Sequence, residues 1–245
     1  MQLEITQYLE QREYDALLSM QTAWEYLGYR GNAPEPEMQE ELEECWTKLK
    51  EVMRPAFSAE LAELTEQTAE CTKLSWGGTK LSLPGRSLAA HLEHCSYAVC
   101  AALTLGEAVD ELIEALQEES MLKALLTDAL ANAAVEGVRM YLEQSVEQAL
   151  PQMRKNWLFG IGYGDLPIEL QPVFLERLHT EERIGLRCNA KGVLLPMKSV
   201  TGFLGLTYAM AEQPLTENRG ANCGRQDCAQ CTNMDCGKRR LLKKK

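Results

Sequence analysis

The chain has 245 residues with 45% hydrophobic and 25% charged residues, enough for a sizeable core and typical of a folded globular protein rather than a disordered one. No apolar run approaches the roughly 18 residues that a membrane span needs, and the polar start MQLEITQYLEQREYD is not a secretory signal, so a cytoplasmic protein without a membrane span is expected. The net charge of −11 is uneven: from Asn218 onward eight Lys/Arg and two Asp give +6, leaving 17 basic and 34 acidic residues at −17, and a body this acidic argues against nucleic acid as a partner.

Residues 5 to 28 read as one helix, with apolar positions at Tyr8, Leu9, Leu17, Leu18 and Trp24. Residues 1–23 are accordingly expected to form an accessory N-terminal helix. A second helix follows Pro36, with Met38, Leu42, Cys45, Trp46, Leu49 and Met53 on one stripe. Residues 56 to 70 suit a strand or a helix. KLSWGGTKLSL holds two alternating runs about Gly77-Gly78 and predicts a hairpin. Ser87 can cap a short helix through His94. YAVCAALTL is a continuous apolar run, as in a buried central strand. Gly106 opens another helix, with Val109, Leu112, Ile113 and Leu116 inward. The longest helix runs from about Leu122 to Leu150. It places Glu136 on a face of small residues with Ala129, Asn132 and Ala133. A carboxylate there needs a partner if buried.

In FGIGYGDLPIELQP, residues 159–172, three glycines alternate with Ile161, Tyr163 and Asp165. Such a segment lets backbone approach a ligand, or it is a tight connector with Tyr163 in the core. Next come a helix over IELQPVFLERLHTEERIG, a hairpin of RIGLRC with GVLLP, and a last strand in SVTGFLGLTYAM. This order predicts an α+β fold, a mostly antiparallel sheet flanked by helices. Residues 211–222 read as a polar linker.

Five cysteines, Cys45, Cys71, Cys95, Cys100 and Cys188, are scattered and read as small core residues. His91, His94 and His179 read as packing or surface residues. The other cysteines, Cys223, Cys228, Cys231 and Cys236, follow C-x4-C-x2-C-x4-C in the basic tail of residues 223–245. Four thiolates so close in a cytosolic chain favour a metal over disulfides. The ligands suit zinc or an iron–sulfur cluster, and Arg219, Arg225, Lys238, Arg239 and Arg240 would offset their charge.

The stretch GIGYGDLPIELQPVFLERLHTEERIGLRCNAKGVLLPMKSVTGFLGL resembles the reactivation (activation) domain of cobalamin-dependent methionine synthase, and more closely its stand-alone bacterial relatives. YLGYRGN, LSLPGRSLAAHLEHC and AALTLGEAVDELI extend the resemblance over about Trp24 to Leu206, within an expected domain of residues 24–210. The resemblance implies a domain that binds S-adenosylmethionine in a shallow groove beside its sheet. It implies docking on a cobalamin-bearing methionine synthase or other corrinoid protein, with flavodoxin or ferredoxin as electron donor. It implies reductive methylation of cob(II)alamin, with no catalytic nucleophile or base of the protein's own. Carried over, Gly162-Tyr163 is the Gly-Tyr of the family motif Arg-x-x-x-Gly-Tyr. Gly160 faces the ligand, Glu136 is the family's helical glutamate, and Ser199 lies on the backing strand. The motif's arginine falls at Leu158, so Arg154 or Lys155, one helical turn earlier, are its candidate replacements. The alternative is a non-catalytic adaptor or electron-delivery protein that docks a corrinoid protein.

Overall fold

The computed structural model describes residues 1–29 and 34–209. Strand β1 spans Glu4–Tyr8, and helices α1 Tyr14–Leu17, α2 Met20–Tyr26 and α3 Pro36–Val52 follow. Strands β2 Ala56–Gln67, β3 Cys71–Trp76 and β4 Thr79–Pro84 come next, then α4 Arg86–His91, β5 Tyr97–Thr104, α5 Glu107–Glu119 and α6 Met121–Ala149. Strand β6 covers Met153–Gly160, α7 Gln171–Arg177 and α8 Thr180–Ile184. The short strands β7 Arg187–Cys188 and β8 Leu194–Leu195 pair with each other, and β9 is Ser199–Tyr208.

The main sheet is antiparallel throughout, in the order β4-β3-β2-β5-β9-β6, with β1 on the first half of β2. The α+β expectation holds. The core is divided by the alternation of side chains along each strand. Val99, Ala101 and Leu103 of β5 join Phe57, Leu158 and Leu204 beneath the helices α3, α5 and α6. Ala98, Cys100 and Ala102 join Phe159, Phe203 and Phe174 on the other face, under α4 and α7. YAVCAALT is apolar at every position but its ends because β5 is covered on both sides.

Three expectations need correction. The single helix over 5 to 28 is replaced by β1 and two short helices. Ile5 pairs with Ala59 and Tyr8 with Ala56, so residues 4–8 are part of the sheet. Their alternation of exposed and half-buried side chains is a strand's period, which the apolar spacing farther on concealed. Residues 153–160 are a strand that polar Arg154, Lys155 and Asn156 had hidden. The helix predicted after Pro167 is broken at His179, whose φ of 52° is left-handed, so α7 and α8 are separate. Residues 56–67 resolve as strand.

Beta-strand β6 carries an irregularity between Lys155 and Leu158 in its pairing with β9. Asn156 repairs it. Its Oδ1 accepts from Gly205 N at 2.6 Å and its Nδ2 donates to His91 O at 2.8 Å. A side chain thus replaces ladder bonds that the bulge removes.

Candidate functional site

The glycine segment leaves β6 and makes two consecutive tight turns. Tyr163 N donates to Gly160 O at 3.1 Å and Leu166 N to Tyr163 O at 3.0 Å, while Ile161 N reaches across to Thr201 O at 3.1 Å. The absence of a side chain at Gly160 lets the ring close on it: a Cβ there would lie 2.9 Å from the Tyr163 ring and push it away. That ring therefore lies against the end of β6, with Phe159 edge-on at 6.0 Å between centroids. Tyr163 keeps 37% of its surface exposed. The ring is neither a core residue nor a free one.

The loop is fastened to the start of α4. The Asp165 carboxylate accepts from Arg86 N at 2.7 Å and Ser87 N at 2.9 Å. The N-cap position of α4 is Gly85, not Ser87, and Asp165 supplies the capping oxygens from 79 residues away. Desolvation works to raise the Asp165 carboxyl, but the Ser87 and Arg86 amides outweigh it and hold the group below its ordinary value. Gly164, at φ 56°, is packed so closely on Ser87 that a Cβ would meet its Oγ at 2.5 Å.

Glu136 approaches the same edge of the sheet from α6. Lys155 of β6 donates to Glu143 Oε2 at 2.9 Å and lies 3.3 Å from Glu147, which fixes the register between strand and helix. The chain reverses between α6 and β6 in three residues. Seven residues back along α6, from Glu143 to Glu136, is about 10 Å. Three residues forward along β6, from Lys155 to Leu158, cross the bulge and advance two ladder positions, about 7 Å. Glu136 therefore lies beyond the Glu143–Lys155 tie, toward the C-terminal end of β6. Leu158 points to the α6 side of the sheet, and alternation gives Gly160 the same side. Gly160 and Tyr163 thus lie together at the end of β6, on the α6 side, and Glu136 lies on α6 itself, bound to Tyr26 and Arg139.

Glu136 is engaged within this edge. Tyr26 Oη donates to its Oε1 at 3.3 Å and Arg139 Nε to its Oε2 at 3.0 Å. Arg139 also binds Glu143. Burial opposes its charge, but Glu143 and Glu136 keep the guanidinium firmly protonated. The stripe Glu136, Arg139, Glu143 recurs at helical spacing and ends on Lys155, so α6 and β6 are tied by buried ion pairs.

Ser199 lies elsewhere. It pairs with Thr104, and alternation puts both on the face of Thr201 and Phe203, away from α6. Its hydroxyl is 2.8 Å from Thr104 Oγ1 and 2.7 Å from Pro196 O. Leu158, at the motif's arginine position, is 3% exposed in the core under α6. The helical-turn argument for Arg154 or Lys155 does not survive, because the segment is a strand. Four residues there span about 13 Å rather than about 6 Å, and Lys155 is committed to Glu143 and Glu147.

His91 is 5% exposed, with Nε2 2.8 Å from Trp157 O. Burial depresses its pKa to about 4, so it is a neutral packing residue, as the sequence suggested. Cys45 and Cys100 are buried, and Cys71, Cys95 and Cys188 half-buried. Among the described residues no group of three or more His, Cys, Asp or Glu side chains could hold a metal. The tetrad Cys223, Cys228, Cys231 and Cys236, the linker and the basic tail lie outside the described residues.

Sequence comparison finds no matching family model and no matching curated protein. Comparison of the structure does find a match. The crystal structure of the MetH reactivation domain bound to AdoHcy superimposes with a TM-score of 0.66 at 13% identity, covering 87% of this chain and 81% of that one. The chain has the fold of the MetH reactivation domain. At that identity the likeness speaks for architecture alone. No helix among the described residues is long and apolar enough to cross a membrane.

Proposed function

We propose that this chain is a stand-alone reactivation module: it binds S-adenosylmethionine in the groove at the end of β6 and serves a cobalamin-dependent methionine synthase or another corrinoid protein. The observation that carries this is the exposed Tyr163 ring set against Gly160, on a fold shared with a domain that holds AdoHcy. The residues suit such a methyl donor in part. Tyr163 offers an aromatic edge and a hydroxyl, Gly162 leaves exposed backbone whereas Gly160 is buried under the Tyr163 ring, and Glu136, already paired with Arg139, supplies negative charge for an ammonium or sulfonium. No arginine stands at 158 to grip a carboxylate in bidentate fashion.

In this function one electron from a donor such as reduced flavodoxin or ferredoxin and a methyl group from S-adenosylmethionine convert cob(II)alamin on the partner to methylcobalamin, and S-adenosylhomocysteine leaves. The chain's own part is to bind and orient the donor. Cys223, Cys228, Cys231 and Cys236 would hold zinc or an iron–sulfur cluster, a proposal that their spacing supports. Buried Leu158 and the committed Lys155 favour a second reading, an adaptor or electron-delivery protein that docks a corrinoid protein without binding the methyl donor.

The test is reconstitution. A methionine synthase lacking its own reactivation domain and poised in the cob(II)alamin state is mixed with S-adenosylmethionine labelled in its methyl group, reduced flavodoxin and the full chain. Label on the cobalamin that depends on this chain supports the proposal. Electron delivery without labelled methyl transfer supports the adaptor. Metal and sulfide analysis of anaerobically purified protein, beside a Cys228→Ser/Cys231→Ser variant, decides the tail.

A further inference from the structure

The loop that carries Tyr163 is anchored at its ends by buried Ile161 and Leu166, but the stretch between them has few means of its own to hold a shape. Its three glycines lack side chains, its two turns each close on one backbone bond, and Gly162 and Gly164 sit at φ 86° and 56°. Chains of this kind have many accessible backbone states. One side chain in it reaches a rigid element with charge. Asp165 puts both carboxylate oxygens on the first two amides of α4, at 2.7 and 2.9 Å. Helix α4 in turn is anchored in the core by Leu88, which is fully buried, and by His91, whose ring contacts Trp157 and Phe159. The far side of the joint is closed as well. Gly85, at φ 126°, leaves just enough room, since a Cβ would stand 3.0 Å from Asp165 Oδ1. Gly164 lies against Ser87 with none to spare.

We infer that Asp165 is a positioning residue: it clips the glycine loop to α4 and so sets the Tyr163 ring where it meets the ligand. This rests on the groove proposed above for the ligand, but the clip can be observed without one. Two amide-to-carboxylate bonds join residues far apart in sequence, and the Tyr163–Leu166 turn lies directly between the clip and the ring. Asp165 touches no ligand in this account and acts through Tyr163.

The experiment uses the full chain, its Asp165→Ala and Asp165→Asn variants, and S-adenosylhomocysteine as an unreactive probe. Residue-resolved hydrogen exchange is followed by NMR and affinity by calorimetry. In Asp165→Ala the Tyr163 and Leu166 amides are expected to exchange about tenfold faster, and the probe to bind about tenfold more weakly, the change that one charge-assisted hydrogen bond supports. Amides of β5 and β9 keep their protection, which separates the effect from general destabilisation. Asp165→Asn retains one accepting oxygen and is expected to recover part of both effects. Acceleration confined to Arg86 and Ser87 would make Asp165 a cap of α4 alone and overturn the inference. So would a faster loop with unchanged affinity. If the parent does not bind the probe, the groove assignment fails by itself, and the Tyr163 and Leu166 amides still decide whether the clip exists. Should Asp165→Ala not fold, Asp165→Asn carries the same comparison, with a smaller expected change.

Discussion

Replacing Leu158 by arginine restores the missing residue of the Arg-x-x-x-Gly-Tyr motif, and it separates two views of the site. Leu158 is 3% exposed and packs in the cluster beneath α6. Truncating such a leucine typically costs about 2–5 kcal/mol. A guanidinium in its place adds donors to be desolvated and a charge to be paired. The carboxylates of this face of α6, Glu136 and Glu143, already serve Arg139 and Lys155. A loss of at least about 3 kcal/mol is expected, which for a domain of this size lowers Tm by roughly 6–12 °C. Thermal unfolding followed by circular dichroism, with calorimetric titration of S-adenosylmethionine on the folded fraction, measures both consequences. The expected result is a destabilised protein with no gain in affinity. A Leu158→Arg variant that melts within about 2 °C of the parent and binds the ligand more tightly would refute the placement of Leu158 in the core.

Other consequences follow from buried polar groups. His91 has a folded pKa of about 4, below the unfolded value of about 6.5. Between those values the unfolded chain takes a proton that the folded chain refuses, so this contribution is complete above about pH 6.5 and falls as pH drops toward 4, by up to about 3 kcal/mol. Urea unfolding at pH 7 and pH 4.5 should show a steeper loss for the parent than for His91→Gln. Glu143→Ala leaves Arg139 and Lys155 without their shared carboxylate and should cost about 3–5 kcal/mol. Lys155→Met, which leaves Glu143 still bound by Arg139, should cost less in the same denaturation assay. Asn156→Ala removes the repair of the β6 bulge, exposes Gly205 N to an unmet bond, and should cost about 1–3 kcal/mol, with faster amide exchange at Gly205.

Much of the fold was legible because the sequence carries strong periods. The α3 stripe, the alternation of β3 into the hairpin at Gly77-Gly78 and the apolar β5 run each have a pattern that their burial repeats. Strand β6 was not legible, since Arg154, Lys155 and Asn156 are used in an ion pair, a bulge repair and a strand edge rather than in an apolar alternation. The N-terminal strand was hidden by apolar residues that belong to two later helices. At the site, the glycine spacing and Tyr163 stood out in the chain, as did Glu136 on its small-residue face. The role of Asp165 could not be read, because its partners are 79 and 78 residues away. The side assigned to Ser199 follows only from strand register, which a sequence does not reveal until the pairing is known.

Binding of S-adenosylmethionine by the Tyr163 loop is what the proposed function depends on. The most direct measurement is a calorimetric titration of the anaerobically purified full chain with S-adenosylmethionine, beside a folded Tyr163→Ala variant. Saturable binding by the parent is expected, weakened at least about tenfold in the variant by loss of the aromatic contact. Binding that is equally strong in the variant, or no binding by the parent at millimolar ligand, would contradict it.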